Sequence, residues 1–381
     1  MKIAYCIRDA MANGGMERVL ANKANHLVNH GHEVHVISIQ STTGRQPFFA
    51  IDPRVRMWSL DCDGLYRKGL VRKLMPWRGR RAFLARLSAV LAQIRPEVAI
   101  ALHDAHARYL YAADDDSPKV LELHFAKHKR AQYLYALEES RWLRPLVDLY
   151  KAPFYRLIRH YDRFVVLTEE DRTAWQRPGV DNIVVIPNAQ TFPCTVQATL
   201  DHRRVIALGR NTPQKQFDAL LRAWSLVAGR NPGWRLAIIG SGDKQDLARL
   251  ADRLGISASV DLGEATRDVQ GELLRSSAFA LTSRYEGLPM ILIEAMSCGV
   301  PVVSFACRSG PTDIIRDGQD GFLVPAGDVA GFARRLQALM SDPALRQAMG
   351  DAAFHNVRRF DEATVMHQWL DLFERLVRTR T

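Results

Sequence analysis

EGLPMILIEAMSCGVPVVSF, residues Glu286–Phe305, is the stretch that indicates how this chain folds. It follows an apolar run, Ala278–Thr282, that has the length and composition of a buried strand. Residues Ile291–Cys298 favour a helix, and Gly299 stands where a glycine commonly ends one. Val302–Phe305 then has the character of a second strand. The sequence therefore predicts a strand, a turn, a helix and another strand in succession.

This unit carries two carboxylates, Glu286 in the turn and Glu294 in the first turns of the helix. A helix N-terminus that follows a parallel strand is a ready site for a phosphate group. A carboxylate beside it suits the neighbouring hydroxyls of a sugar or a ribose, because an ionised carboxylate only accepts hydrogen bonds. The combination predicts a site for a nucleotide sugar.

Strands and helices alternate along the chain in two series. Such alternation is typical of parallel sheets covered by helices, so we predict an α/β protein with two doubly wound parallel sheets. Asp181–Leu200, which contains two prolines, is the predicted linker between the domains. The predicted strands are Ile3–Ile7, Val34–Ile39, Val98–Leu102, Val120–Leu123 and Phe164–Leu167, then Val205–Leu208, Arg235–Ile239 and Val260–Leu262, and the predicted helices include Met16–Asn29, Ala82–Ile94, Phe217–Ala228, Lys244–Leu254 and Val269–Ser276.

The composition, 47% hydrophobic and 24% charged, is typical of a globular protein. At 381 residues the chain is long enough for two domains. No apolar run reaches the roughly 18 residues that would cross a bilayer. The apolar stretch in the opening MKIAYCIRD is too short for a signal peptide. Five cysteines without a CxxC pair predict free thiols in a reducing compartment, so we expect a cytoplasmic location.

The net charge of +11 is unevenly distributed. Gly64–Pro96 holds nine basic residues and no acidic residue, with aromatic and aliphatic side chains between them. Such a segment can lie on an anionic membrane surface, and a second basic cluster, Lys127, Lys129 and Arg130, would add to the attraction. The alternative is a solvated helix face whose apolar residues pack on the core. Nucleic acid binding is not predicted, because no recognition module accompanies the charge.

Glu286 and Glu294, with seven residues between them, resemble the glutamate pair of the retaining glycosyltransferases of family 4. Three further segments resemble that family in the same order along the chain. They are NGGMERVLANKANHLVNHGHEV from Asn13, VIALGRNTPQKQFDALLRAW from Val205 and SGPTDIIRDGQDGFLVPAGD from Ser309.

The resemblance implies the GT-B fold, in which two Rossmann-like parallel-sheet domains face a central cleft. We expect an N-terminal acceptor-side domain over residues 1–190 and a C-terminal nucleotide-sugar domain over residues 200–362. The last helix, at about residues 363–381, is expected to cross back onto the N-terminal domain.

The resemblance places Glu294 on the nucleotide ribose and Glu286 on the donor sugar, near its reacting face. Arg210 and Lys215 stand between a strand and a helix, where two cations would bind a diphosphate and stabilise its charge as it leaves. The family assigns them the same role. Gln216 departs from the family, which commonly has glycine there, and we expect it to alter the turn without removing the cations.

Backbone groups complete the predicted donor site. The turn residue Gly287 and the amides of Leu288 and Met290 would contact sugar hydroxyls or phosphate. Gly14 and Gly15 follow the first strand and open the first helix, where glycine lets the backbone approach a ligand closely. A plain turn is the alternative for these two glycines.

His124 follows a predicted strand where the family places a histidine near the reacting centre, so we expect it to contact the donor sugar or the acceptor; a structural histidine is the alternative. His103 and His106 have a spacing that could chelate a metal, but two histidines do not make a site. No metal and no cofactor are predicted. Gly240–Gly242 lacks the third glycine of a dinucleotide fingerprint and is at most a weak donor contact.

The predicted function is retaining, metal-independent transfer of a sugar from a nucleotide diphosphate donor to a polyprenyl-diphosphate-linked or other lipid-linked glycan. A UDP-sugar is the favoured donor and GDP-mannose the next. The predicted setting is bacterial exopolysaccharide, capsule or lipopolysaccharide synthesis, with the protein peripheral on the inner face of the cytoplasmic membrane. The alternatives are a nucleotide-sugar epimerase of the same architecture and a non-catalytic membrane-associated partner on a transferase scaffold.

Overall fold

The computed structural model describes residues 1–62, 77–102, 105–124, 152–192 and 194–379. The chain divides into two units, the first made of Met1–Pro187 and Val365–Thr381 and the second of Asn188–Thr364. Each unit is built around one parallel sheet. The prediction of two Rossmann-like parallel-sheet domains is confirmed.

The sheet of the first unit contains seven strands in the order β3-β2-β1-β4-β5-β6-β7. All its neighbouring strands pair in parallel. The central strands are buried along most of their length, which is why they read as nearly continuous apolar runs in the sequence. The strands are β1 Lys2–Ile7, β2 Glu33–Ser38, β3 Arg56–Ser59, β4 Val98–Leu102, β5 Lys119–Glu122, β6 Arg163–Val166 and β7 Ile183–Val185.

The sheet of the second unit contains six parallel strands in the order β10-β9-β8-β11-β12-β13. The chain order reverses between β8 and β11, and such a switch point is where open parallel sheets bind ligands, beyond the carboxyl ends of the strands. The strands are β8 Arg204–Leu208, β9 Arg235–Ile239, β10 Val260–Gly263, β11 Ala278–Leu281, β12 Val302–Ala306 and β13 Gly321–Pro325.

Helices connect the strands in both units. Those of the described part of the first unit are Gly15–Asn29, Trp77–Ile94, residues 152–158 and Glu169–Trp175. Those of the second are Phe217–Ser225, Gln245–Arg253, Val269–Leu274, Met290–Ser297, Pro311–Ile314, Val329–Ser341 and Pro343–Asn356, and the chain ends with the helix Glu362–Arg378.

The last helix belongs to the first unit from Val365 onward. Val365, Trp369, Phe373 and Leu376 are all buried, and their spacing of three and four residues marks one apolar face of a helix. The aromatic rings of Trp369 and Phe373 are 5.6 Å apart and fully buried. This apolar stripe therefore forms part of the core of the first unit.

Three short strands, β3, β7 and β13, were not predicted. Each has three to five residues and one neighbour in its sheet, so the apolar signal of a buried central strand is weak there. β7 lies inside the segment predicted as a linker, and it pairs with β6 instead. The helix predicted to reach Ala228 ends at Ser225, and a short 3-10 helix follows it.

Candidate active site

Most of the predicted site residues of the second unit lie in loops after β8 and β11, and Glu294 lies on the helix Met290–Ser297; the loops after β9 and β12 lie beside them. Because the strands are parallel and adjacent, these loops meet at one edge of the sheet. The loop after β11 runs beside the loop after β12, since Tyr285 and Arg308 form a parallel bridge and the Glu286 N–H donates to the Arg308 carbonyl oxygen at 3.2 Å. The sequence motif is thus held against a second loop along its backbone.

Lys215 and Glu286 form an ion pair at this edge. Lys215 Nζ lies 2.8 Å from Glu286 Oε1, and the two side chains are only 17% and 10% exposed. Gln214 Nε2 donates to the Tyr285 carbonyl oxygen at 2.9 Å, and the Arg284 N–H donates to the Gln214 carbonyl oxygen at 2.8 Å. The segment predicted to bind phosphate and the glutamate motif are therefore fixed to one another by backbone and side-chain contacts.

Arg210, the other predicted cation, is exposed on the same loop. Within the part of the chain that the structure describes, its guanidinium makes no ion pair. Its charge is therefore available to an anionic ligand, whereas that of Lys215 is shared with Glu286.

Gln216, the departure from the family pattern, adopts the left-handed backbone conformation that favours glycine, with φ of 47°. With its amide oriented to satisfy both partners, the nitrogen donates to the Thr282 carbonyl oxygen at 3.2 Å and the oxygen accepts from Arg284 Nε at 3.0 Å. The Thr282 hydroxyl donates to the Lys215 and Gln216 carbonyl oxygens at 3.0 and 3.1 Å. These contacts retain the turn that a glycine would otherwise form.

Gly240, in the GSG sequence, has a packing role. A Cβ atom on Gly240 would lie 1.8 Å from the Gly209 carbonyl oxygen, so only glycine allows the loops after β8 and β9 to come this close. The Asn211 N–H donates to the Ser241 carbonyl oxygen at 2.7 Å. The loop thereby supports the segment that carries Arg210.

A second glycine, Gly310, fixes the turn that carries Glu286. Its φ is 104°, and a Cβ atom there would lie 2.4 Å from Pro289 Cδ and 2.7 Å from the Gly287 carbonyl oxygen. Met290 opens the following helix, so its N–H is among those that have no acceptor within the helix. The predicted backbone contacts of Gly287, Leu288 and Met290 therefore come from a turn of fixed shape.

Glu294 lies on that helix and is 6% exposed. The hydroxyl of Thr191 donates a hydrogen bond to Glu294 Oε1. Ser297, one turn later, donates to Gln190 Oε1 at 3.1 Å. Sequence reasoning did not find Thr191 or Gln190, because the predicted linker gave no sign that its residues contact the motif more than 100 positions away.

In the first unit, Gly14 and Gly15 open the helix Gly15–Asn29. A Cβ atom on Gly14 would lie 2.1 Å from a carboxylate oxygen of Glu17, so this side chain folds back over the start of the helix. A Cβ atom on Gly15 would have no neighbour within 4 Å. The contact at position 14 is with the end of a flexible side chain, which can move aside, and position 15 has open space, so local packing alone requires glycine at neither position.

His124 belongs to a buried charge cluster that sequence reasoning missed. Its Nε2 lies 3.2 Å from Oε1 of Glu122, the last residue of β5, and Lys23 Nζ contacts the same oxygen. The Lys23 ammonium also lies over the Trp369 ring, 3.6 Å from its centroid. The available signal was a lysine on the apolar face of the first helix, next to the buried Leu20.

The charges of this cluster determine the ionisation of Glu122. Burial would raise the pKa of Glu122, but Lys23 and His124 lower it to about 2, so the carboxylate is ionised at neutral pH. Burial lowers the pKa of Lys23, and Glu122 opposes that shift. The pair is therefore a buried ion pair.

Other predicted features lie partly or wholly outside the described residues. These are His103, the cluster Lys127, Lys129 and Arg130, and the basic segment up to residue 76; the side chain of His106 is also undescribed. In the described part of the basic segment, Phe83 and Leu87 are 1% exposed and belong to the core, so they are unavailable to a membrane. None of the helices in the described ranges is long and apolar enough to span a membrane.

Two family models match the chain. The model for Glycosyltransferase Family 4 matches residues 13–189, and the model for Glycosyl transferases group 1 matches residues 196–356. Together they include the glycine loop, both predicted cations and both glutamates.

Curated relatives agree with these matches. An uncharacterised glycosyltransferase of Haemophilus influenzae is 27% identical over 97% of this chain and 98% of its own length. The exopolysaccharide phosphotransferase SCO2592 of Streptomyces coelicolor is 30% identical over 100% of this chain, which spans only 41% of that protein. The amylovoran biosynthesis glycosyltransferase AmsD of Erwinia amylovora is 30% identical over 55% of this chain and 62% of its own length.

Solved structures share the fold over nearly the whole chain. The lipopolysaccharide outer core galactosyltransferase WaaB superposes with a TM-score of 0.73 at 21% identity, covering 98% of this chain and 100% of its own. HepE of Anabaena, solved in complex with UDP, gives a TM-score of 0.71 at 18% identity over 98% and 100% of the two chains.

Proposed function

The chain belongs to the glycosyltransferases of family 4, with the GT-B fold, and from that premise we propose which sugar transfer it performs. It moves a sugar, with retention of configuration and without a metal ion, from a nucleotide diphosphate donor to a lipid-linked glycan in surface polysaccharide synthesis. The donor is a UDP-sugar, with GDP-mannose as the second candidate.

The ion pair between Lys215 and Glu286 is the observation that carries this proposal. It brings a cation from the loop after β8 within 2.8 Å of the carboxylate after β11, at the edge where parallel sheets bind nucleotides. A donor needs a cation for its diphosphate and an acceptor of hydrogen bonds for its sugar at adjacent positions. Lys215 and Glu286 supply both.

The leaving nucleoside diphosphate gains negative charge as its bond to the sugar breaks. Lys215 and the exposed Arg210 would stabilise that charge, and fixed cations at such a position act without a metal ion. Glu286 would accept hydrogen bonds from the donor sugar. Its pairing with Lys215 holds both groups in place before the donor arrives.

Glu294 would bind the ribose hydroxyls. Thr191 occupies one oxygen of its carboxylate, so the side chain is oriented before binding. The N–H groups of Leu288 and Met290, with the turn at Gly287, would bind sugar hydroxyls or phosphate. In the first unit, Gly14 and Gly15 would admit the ligand closely, and His124 would contact the donor sugar or the acceptor.

The substrates are inferred from relatives. HepE was solved with UDP, which favours UDP as the donor nucleotide. WaaB is named for lipopolysaccharide outer core and AmsD for amylovoran, and both names favour a glycan acceptor of the cell surface. We place the reaction on the inner face of the cytoplasmic membrane, where the basic segment starting at Gly64 would contact anionic lipid.

A thermal-shift screen tests the donor. The protein is heated with UDP, GDP, ADP and their sugar derivatives, with and without EDTA. A ligand at 100 times its Kd stabilises the fold by about 2.7 kcal/mol, so one nucleotide family should raise the Tm clearly and EDTA should not change the shift. The Arg210→Ala variant should lose most of the shift. The control Arg235→Ala, at the amino end of β9, should retain it.

The acceptor is tested by nucleoside diphosphate release. Transfer requires that release depends on added lipid-linked glycan. Donor isomerisation without an acceptor would identify an epimerase, and the absence of any nucleotide shift would favour a non-catalytic partner.

A further inference from the structure

Glu122 joins Lys23 to His124 in the core of the first unit. Its Oε1 contacts Lys23 Nζ on one side and lies 3.2 Å from His124 Nε2 on the other. Glu122 is fully buried, and the side chains of Lys23 and His124 are 5% and 4% exposed. Lys23 and His124 thus share the carboxylate of Glu122 away from solvent.

Lys23 reaches this position from an otherwise apolar helix face. Its neighbours on that face, Leu20, Ala24 and Leu27, are buried apolar residues. Its ammonium is enclosed by the carboxylate of Glu122 and by the ring of Trp369, on which it stacks. The carboxylate of Glu122 is therefore the anionic group that Lys23 is positioned to bind.

Burying this cluster opposes folding more than a purely structural role would explain. Among the described residues, Glu122 Oε2, the hydroxyl of Tyr5 and both ring nitrogens of His124 are buried without a well-aligned hydrogen-bond partner, although His124 Nε2 lies 3.2 Å from Glu122 Oε1. Burying such groups unsatisfied opposes folding, and apolar side chains in place of a buried ion pair often give a more stable protein. Stability alone does not account for the cluster.

We propose that Glu122 and Lys23 are positioning residues that orient His124 for sugar transfer. The Glu122 carboxylate lies 3.2 Å from Nε2 and attracts that edge of the imidazole, whereas no charged group of the cluster lies against Nδ1. Lys23 keeps the carboxylate in place. The proposal rests on the proposed role of His124 at the reacting centre and adds the residues that set its ring orientation and tautomer.

A matched control exists on the same strand. Lys119, the first residue of β5, forms a second buried ion pair with Asp115 at 2.6 Å, with side chains 6% and 8% exposed. It resembles the Lys23–Glu122 pair in chemistry and burial, but it lies at the amino end of β5, away from His124. A general loss of core stability should appear equally in both pairs.

The experiment compares Glu122→Gln, the double variant Lys23→Met/Glu122→Gln, Asp115→Asn and His124→Ala. Turnover is measured as nucleoside diphosphate release from the nucleotide sugar that gives the largest thermal shift, in the presence of the lipid-linked glycan acceptor, and the ring ¹⁵N signals of His124 are recorded by NMR. Glu122→Gln should reduce kcat at least about tenfold and change the His124 tautomer signals, while the Kd for the nucleotide stays within twofold. Asp115→Asn should lower the Tm without either effect.

Each outcome separates this inference from the proposed function. If His124→Ala keeps full turnover, the assigned role of His124 is wrong. If His124→Ala is inactive but Glu122→Gln turns over like the wild type with unchanged ¹⁵N signals, the positioning role is overturned. The double variant replaces the ion pair by a neutral pair, so it tests the same point should Glu122→Gln fail to fold.

Discussion

Lys215 Nζ lies 2.8 Å from Glu286 Oε1, so the loop after β8 and the loop after β11 are joined by an ion pair at the carboxyl edge of the second sheet. Both side chains are partly buried, which makes the contact less screened by solvent than a surface pair. In the proposed function, Lys215 contacts the diphosphate of the donor and Glu286 contacts its sugar. The pair is therefore both a structural connection and the centre of the proposed donor site.

Replacing either partner should slow transfer strongly with modest effects on folding. Lys215→Ala removes a cation from the diphosphate, and Glu286→Gln removes the charge that orients it. We expect kcat to fall about 10²- to 10³-fold in each, as for the loss of one charge-stabilising group. The control is Arg235→Ala, which breaks an exposed ion pair with Asp261 in the same sheet. Near-wild-type rates in either site variant would contradict the assigned roles.

Gly310→Ala should distort the turn that carries Glu286. The added Cβ would lie 2.4 Å from Pro289 Cδ, at a backbone φ of 104°. The conformation alone costs about 1–3 kcal/mol for a residue other than glycine. Gly318→Ala is the matched control, because Gly318 has φ of 77° and no atom within 4 Å of the new Cβ. Gly310→Ala should lower the Tm and raise the nucleotide Kd more than Gly318→Ala does. Equal changes in the two variants would show that the contact with the turn is unimportant.

Thr191→Val should weaken nucleotide binding. Valine keeps the shape of threonine but cannot donate to Glu294 Oε1, and a hydrogen bond to a charged group is worth about 1.5–3 kcal/mol. We expect the Kd for the nucleotide to rise at least about tenfold, as measured by titration calorimetry. Thr191→Ser retains the hydroxyl and should bind like the wild type. Equal affinity in the valine variant would remove Thr191 from the donor site.

The central strands were predictable because burial on both faces leaves a continuous apolar run. Val98–Leu102 and Arg235–Ile239 coincide with the observed β4 and β9. The edge strand Ile183–Val185 was missed, since three residues beside Pro187 resemble a turn as much as a strand. Local sequence thus predicts the middle of each sheet better than its edges.

Within the candidate site, local motifs predicted the residues that follow strands and missed those that act through distant partners. Lys23 and Glu122 are 99 positions apart, and Thr191 and Glu294 are 103 apart. No spacing rule connects such residues, because the fold of each unit brings them together. Among these residues, only Lys23 gave a signal in the sequence. It is a charged residue on the apolar face of a helix, and a buried charge needs a partner.

Because Glu122 is ionised in the folded protein, the free energy of unfolding should depend on pH in the acid range. Its pKa falls from 4.5 to about 2 on folding, because Lys23 and His124 outweigh the effect of burial. A depressed folded pKa contributes stability above the unfolded value, and this contribution is lost as pH falls from about 4.5 to 2. The Tm difference between wild type and Glu122→Gln should therefore be largest near pH 7 and shrink across that window. Asp246→Asn, whose side chain is 91% exposed, should show no such change. A pH-independent difference for Glu122→Gln would mean that Glu122 is already protonated in the folded protein.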